Sequence, residues 1–176
     1  MKKLFTIATK HASTILRQWS NNSYYGYFTG VTFDAGEVFS ICDGVVVQSE
    51  TARNDTKVIT VQYSSDTYVR YLNIVELTAG ITLGGLVREG QLLGKVHKNQ
   101  ATIELCEAYA TDRKWPVRIG TRTVYKVDPM PYLTDADAFH KHAQIRVVTD
   151  EDVANIPEAK LTSAMMSEFN GMNKGE

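Results

Sequence analysis

Two glycine-bearing turns, each running into an apolar stretch, most constrain what this chain can fold into. Asp43-Gly44 supplies a tight-turn dipeptide, and Val45-Val46-Val47 then favours a pleated backbone. In Gly90-Gln91-Leu92-Leu93-Gly94, Gly90 permits positive φ, the leucines enter a core, and Gly94 marks a bend or a close backbone approach. Between them, Lys57 to Tyr63 and Thr67 to Leu72 are rich in β-branched and aromatic residues. Short strands at this spacing, broken by glycines, predict a mainly β domain, a compact sandwich or barrel.

A chain of 176 residues fits one domain with a real core. Its 43% hydrophobic and 22% charged residues are globular values, and a net charge of -1 gives no electrostatic case for nucleic acid or an anionic membrane. No run approaches the length of a transmembrane helix. Lys2-Lys3 could open a signal peptide, but Leu4 to Ala8 is cut short by Lys10 and His11, so no leader is expected. Cys42 and Cys106 both fall in predicted strands and read as buried thiols, a disulfide requiring the fold to bring them together.

The ends of the chain differ from its middle. Ala12, Ile15, Leu16 and Trp19 follow a helical period, which predicts an amphipathic helix over Thr9 to Trp19 within an N-terminal arm of residues 1–23. Tyr24-Tyr25-Gly26-Tyr27-Phe28 could stack on bases or sugars. With no basic residues interleaved, a strand with one packed face is the better reading. Residues 134–176 form a predicted helical extension, with Thr134 as an N-cap and Leu161, Met165 and Phe169 along one stripe after Pro157. Both apolar stripes, Ile15-Leu16-Trp19 and Leu161-Met165-Phe169, must be covered by the core or by another subunit, and all six residues are assigned as assembly contacts.

Gly36 to Val46, Tyr68 to Leu72, Val87 to Val96, Thr102 to Glu107 and Val127-Asp128-Pro129-Met130-Pro131-Tyr132-Leu133 together resemble the successive signatures of lysostaphin-like (LytM-type) zinc endopeptidases. The resemblance spans roughly Tyr25 to Leu133. It implies a β-sandwich of the duplicated hybrid motif (barrel-sandwich) type over residues 24–133, flanked by the two helical ends, in a family that cuts peptidoglycan cross-bridges.

The departures from that pattern bear on function. The resemblance implies a zinc-binding His and Asp near the first strand, a His on the last core strand and two assisting histidines. Phe28 and Thr32 stand at the first two positions, Tyr71 at the central assisting His, and Thr102 and Glu104 at the His-x-His pair, so the resemblance implies that these five line one degenerate site groove. Gly30 and Asp34 are the alternative equivalents of the first pair. The chain's histidines are His11, His97, His140 and His142; His97 reads as solvent-facing, and His140 and His142 are spaced too poorly to chelate on one helix face. Catalytic zinc takes three protein ligands and an open water position, so neither a metal nor another cofactor is expected.

Three classes follow. The first is an inactive peptidase-like structural protein of a bacteriophage virion, in its tail or baseplate, made in the host cytoplasm without a leader. Its partners would be other tail proteins or its own copies, with a weak peptidoglycan contact left open. The second is a regulator or activator of cell-wall hydrolases. The third is a peptidoglycan endopeptidase with an atypical metal site, using Asp34 and Glu104.

Overall fold

The structure, a computed structural model, describes residues 3–24 and 26–134. His140, His142 and the Leu161, Met165 and Phe169 stripe lie outside the described residues. Along the first half run β1 (Lys3–Phe5), β2 (Ala12–Arg17), β3 (Ser20–Asn22), β4 (Gly26–Phe28), β5 (Val31–Asp34), β6 (Glu37–Phe39), β7 (Gly44–Thr51) and β8 (Lys57–Gln62). The second half adds β9 (Thr67–Leu77), β10 (Leu86–Val87), β11 (Leu92–Val96), β12 (Gln100–Glu107), β13 (Pro116–Ile119) and β14 (Arg122–Val127), then a short helix, α1 (Met130–Thr134).

Twelve of these strands form one antiparallel sheet with a central path β1-β2-β5-β12-β9-β8-β7-β10. The β6–β11 pair branches from β9, the β13–β14 hairpin from β12, and β3–β4 stands apart as a two-stranded ribbon. The architecture is the mainly β one that the two turns predict. Asp43-Gly44 opens β7, whose Val45 pairs with Gln62, and Leu92-Leu93-Gly94 lies in β11. A Cβ on Gly94 would stand 2.3 Å from the Glu76 carbonyl oxygen, so only glycine allows β11 this close to β9. The long β9 passes from β12 to β11 at Asn73, which has φ 64° and donates its side-chain amide to the Gln100 carbonyl at 3.0 Å.

Alternation along the central strands divides the buried residues into two sets. Val31, Phe33, Ile59, Val61, Val69, Tyr71, Ala101, Ile103 and Leu105 belong to the main core. Val45, Val47, Tyr68, Cys106, Ile119 and Val124 make a second, smaller one. Cys42 lies in the first and Cys106 in the second, and both are free and buried, as thiols that behave like small hydrophobes. Cys42 occupies a bend before β7 rather than the strand predicted for it.

Two expectations for the ends are corrected. The N-terminal segment is strand, not helix: β2 pairs with β1 and β5, burying Ser13 and Ile15 while Leu16 is 40% exposed. The helical spacing of its apolar residues loses to tertiary pairing, because β5 needs a neighbour for its backbone groups and Thr14 and Ile15 are β-branched. Ile15 thereby packs into the main core of its own domain. Thr134 lies within α1 rather than ahead of a helix, and the entry of α1 is capped by Asp128, which accepts from the Met130 amide at 3.0 Å.

Candidate functional site

Across the β9–β12 ladder Ile103 pairs with Tyr71 and Glu104 with Arg70. Directly paired residues share a face, so Tyr71 points into the main core while Glu104 and Arg70 point to the other side. Tyr71 is fully buried, and its hydroxyl accepts from the Ile41 amide at 2.9 Å and meets Ser40 Oγ at 3.4 Å. Burial first, then the nearby Cys42, holds its phenol well above the usual tyrosine range, so it stays neutral. The expectation that Tyr71 and Glu104 line one groove is therefore corrected. The side chain facing Glu104 is Arg70, one residue earlier.

The face opposite the main core carries the other predicted positions. Thr32 pairs with Thr102 in the β5–β12 ladder, and their hydroxyl oxygens lie 2.8 Å apart. Asn73 Nδ2 donates to Thr102 Oγ1 at 3.1 Å. Two residues along β12, Glu104 is 4% exposed and gathers a ring of donors. Its Oε1 accepts from Arg70 Nη1, and its Oε2 accepts from Lys126 Nζ at 2.7 Å and from Thr29 Oγ1 at 2.9 Å. Lys126 Nζ also donates to Thr29 Oγ1 at 3.1 Å, and Arg70 Nη2 reaches Glu50 Oε2 at 3.7 Å. Two carboxylates and two cations thus balance in charge within a largely buried patch, which is the condition for burying Glu104 at tolerable cost. With both oxygens held by cationic donors, Glu104 serves as an internal counterion rather than a free general base.

Local sequence explains how Thr29 arrives there. A Cβ on Gly30 would lie 2.6 Å from the Ile103 carbonyl oxygen and 3.2 Å from Glu104 Cγ, so glycine lets the β4–β5 link press against β12. Phe28, one position before Thr29, turns away: its ring carries the Arg17 guanidinium at 4.3 Å within the β3–β4 region. Thr29, Arg70 and Lys126 were not legible as site residues. Nothing next to Arg70 or Lys126 in the sequence marks them, and their convergence is a property of the β9–β12–β14 pairing.

The ligands a catalytic zinc would need do not fit here. Thr32 and Thr102 are bonded to each other, Glu104 is neutralised, and no imidazole stands on these strands. Among the described residues no three His, Cys, Asp or Glu side chains cluster as a metal group. The Asp34–Glu104 alternative also fails on distance. Asp34 pairs with Gln100, four residues from Glu104 on the same strand, a separation of about 13 Å. His97 is exposed in a single 3-10 turn over His97–Asn99.

No family model matches the sequence, and no curated protein does. Among solved structures the chain is similar to Helicobacter pylori Csd3, at 15% identity and a TM-score of 0.54 over 83% of this chain and 41% of Csd3. The catalytic domain of the prophage-encoded M23 protein EnpA from Enterococcus faecalis matches at 16% identity and a TM-score of 0.50, over 68% of this chain and 91% of that domain. A chain of the SpoIIIAH–SpoIIQ complex matches at 12% identity and 0.54, over 75% of this chain and all of that one. The fold is that of M23, LytM-type peptidase domains, and the chain spans under half the length of Csd3.

Proposed function

We propose that this chain is a peptidase-like domain without hydrolytic chemistry, which acts through protein–protein contacts as part of a bacteriophage tail or baseplate. One observation carries the inactive reading: the Glu104 carboxylate is tied up by Arg70, Lys126 and Thr29 at the position where a metal ligand strand would present its imidazoles. A site built this way holds strands together and polarises no water. The tail assignment is supported by EnpA, whose domain of the same fold is prophage-encoded, and by the apolar stripe of Leu161, Met165 and Phe169. The contact role is supported by the matching chain of the SpoIIIAH–SpoIIQ complex, an assembly of two proteins.

Two measurements test the reading. Purified protein analysed for metal after dialysis is expected to lack the about one zinc per chain of a catalytic site, and its digestion of peptidoglycan to match a buffer control. Stoichiometric zinc with cleavage would refute it. Deleting Pro157 to Glu176 is expected to leave thermal unfolding of the sheet unchanged while weakening assembly into larger complexes. A truncated monomer that melts much lower would assign that segment to the domain's own core.

A further inference from the structure

The chain also carries a pocket whose lining shares no residue with the Glu104 cluster. It has a volume of about 350 Å³ and is lined by Arg17, Gln18, Trp19, Ser20 and Gly26. That is the lower end of the roughly 300–1,000 Å³ of small-molecule sites, room for one ring-sized ligand.

The sequence places these residues there through a bulge and a ribbon. Ile15 pairs with Phe33 but Arg17 with Thr32, so Leu16 is an extra residue that turns Arg17 away from the core face. In the β3–β4 ribbon Ser20 pairs with Phe28, Asn21 with Tyr27 and Asn22 with Gly26. Asn21 and Tyr27 therefore share one face, and Ser20, Gly26 and Phe28 the other. The first face is clamped. Lys114 Nζ donates to Asn21 Oδ1 at 3.1 Å and lies 4.3 Å from the Tyr27 ring centroid, and the Tyr27 and Trp115 rings are 5.5 Å apart at 57°. This contact holds the ribbon in place and leaves its other face to the pocket.

On the pocket side, the exposed Arg17 guanidinium stacks on Phe28 at 4.3 Å and donates through Nη2 to the Tyr27 carbonyl at 3.3 Å. Its planar fork is oriented by these two contacts, and a guanidinium carries five N–H donors. Beside it stand a half-buried indole, a primary amide and a hydroxyl. We propose that this pocket binds a carboxylated sugar ring. Trp19 offers a flat apolar surface to the ring's C–H face, Gln18 and Ser20 address its hydroxyls, and Arg17 takes the carboxylate. Among the described residues of the lining Arg17 is the one that carries a charge, which matches a single negative charge per ring. Among the described lining residues there is no aliphatic wall for a peptide side chain, and one cation is too few for a nucleic-acid backbone. The proposal does not depend on the inactive reading, since none of these residues belongs to the Glu104 cluster.

The test uses the full chain and trigalacturonate as the probe, with maltotriose and a Glu-Glu-Glu peptide as comparators. Binding is followed by NMR at the Trp19 indole N–H and the Arg17 to Ser20 amides. The expected result is saturable shifts there, and none at the Trp115 indole, with trigalacturonate bound more tightly than either comparator. Arg17→Gln should weaken trigalacturonate about tenfold or more, as expected for loss of a charge-assisted pair, with an unchanged unfolding midpoint. Arg17→Lys, which keeps the charge without the fork, should fall between, and guards against a misfolded glutamine variant. Absence of saturable shifts at Trp19, equal binding of maltotriose, tighter binding of the peptide, or full affinity in both Arg17 variants would each overturn the proposal.

Discussion

Tyr71 and Glu104 lie on adjacent strands of the central sheet yet face opposite sides of it, one sealed in the main core and the other in an ionic cluster. They therefore have separate energetic roles, and substitutions at the two should fail in different ways.

Replacing Glu104 by Gln leaves Arg70 and Lys126, whose side chains are 12% and 22% exposed, without their common counterion. Removing one partner of a buried ion pair costs about 3–5 kcal/mol, and the partial exposure of both cations puts the expected loss toward the lower end. Urea unfolding followed by fluorescence measures it. A loss under about 1 kcal/mol would show that solvent compensates the cations, as at an exposed pair.

At Tyr71, substitution by Phe removes the hydroxyl that accepts from the Ile41 amide and keeps the ring volume. The buried amide then lacks its partner, which costs about 1–3 kcal/mol. The expected readout is a lower unfolding midpoint with unchanged m-value, and faster exchange of the Ile41 amide. Exchange as slow as in the parent would mean that another acceptor replaces the phenol.

For Gly30, a change to Ala would place a methyl group 2.6 Å from the Ile103 carbonyl oxygen. The β4–β5 link must then move off β12, taking Thr29 away from Glu104. A cost of about 1–3 kcal/mol is expected, of the size seen for overpacking. Combined with Glu104→Gln, the two effects should be less than additive, because both disrupt one network. Full additivity would separate Thr29 from the cluster.

Alkaline pH should destabilise the fold through its buried acids. Burial, reinforced by Glu104, pushes the Cys106 thiol from 9.0 up to about 12, and Cys42 is also raised, by burial and by Asp43. Above pH 9 the unfolded chain loses the proton that the native thiol keeps, so the unfolded state binds fewer protons and stability falls as pH rises. The slope is about 1.4 kcal/mol per pH unit per thiol between the unfolded and folded values. Cys106→Ala should reduce the slope between pH 9 and 12 by about that amount. An unaltered slope would mean that Cys106 ionises in the native state as easily as in the unfolded one.

The sequence by itself determined the fold class, the turn-strand units at Asp43-Gly44 and Gly90 to Gly94, and the close approach at Gly94. These are local matters: turn dipeptides, β-branched runs and the lack of a Cβ act within a few residues of where they are written. Only the tertiary structure decided that Ala12 to Arg17 is a strand, because the partner demanding it, β5, lies beyond the β3–β4 ribbon in the chain. It also decided which neighbour faces Glu104. In a strand a one-residue error in register moves every side chain to the other face, and no local signal distinguishes Arg70 from Tyr71 in Val69-Arg70-Tyr71-Leu72. The counterion Lys126 is 22 residues from Glu104, and Thr29 is 75 residues away. Those contacts exist because three strands and a glycine-permitted link meet there, a condition set by the whole sheet.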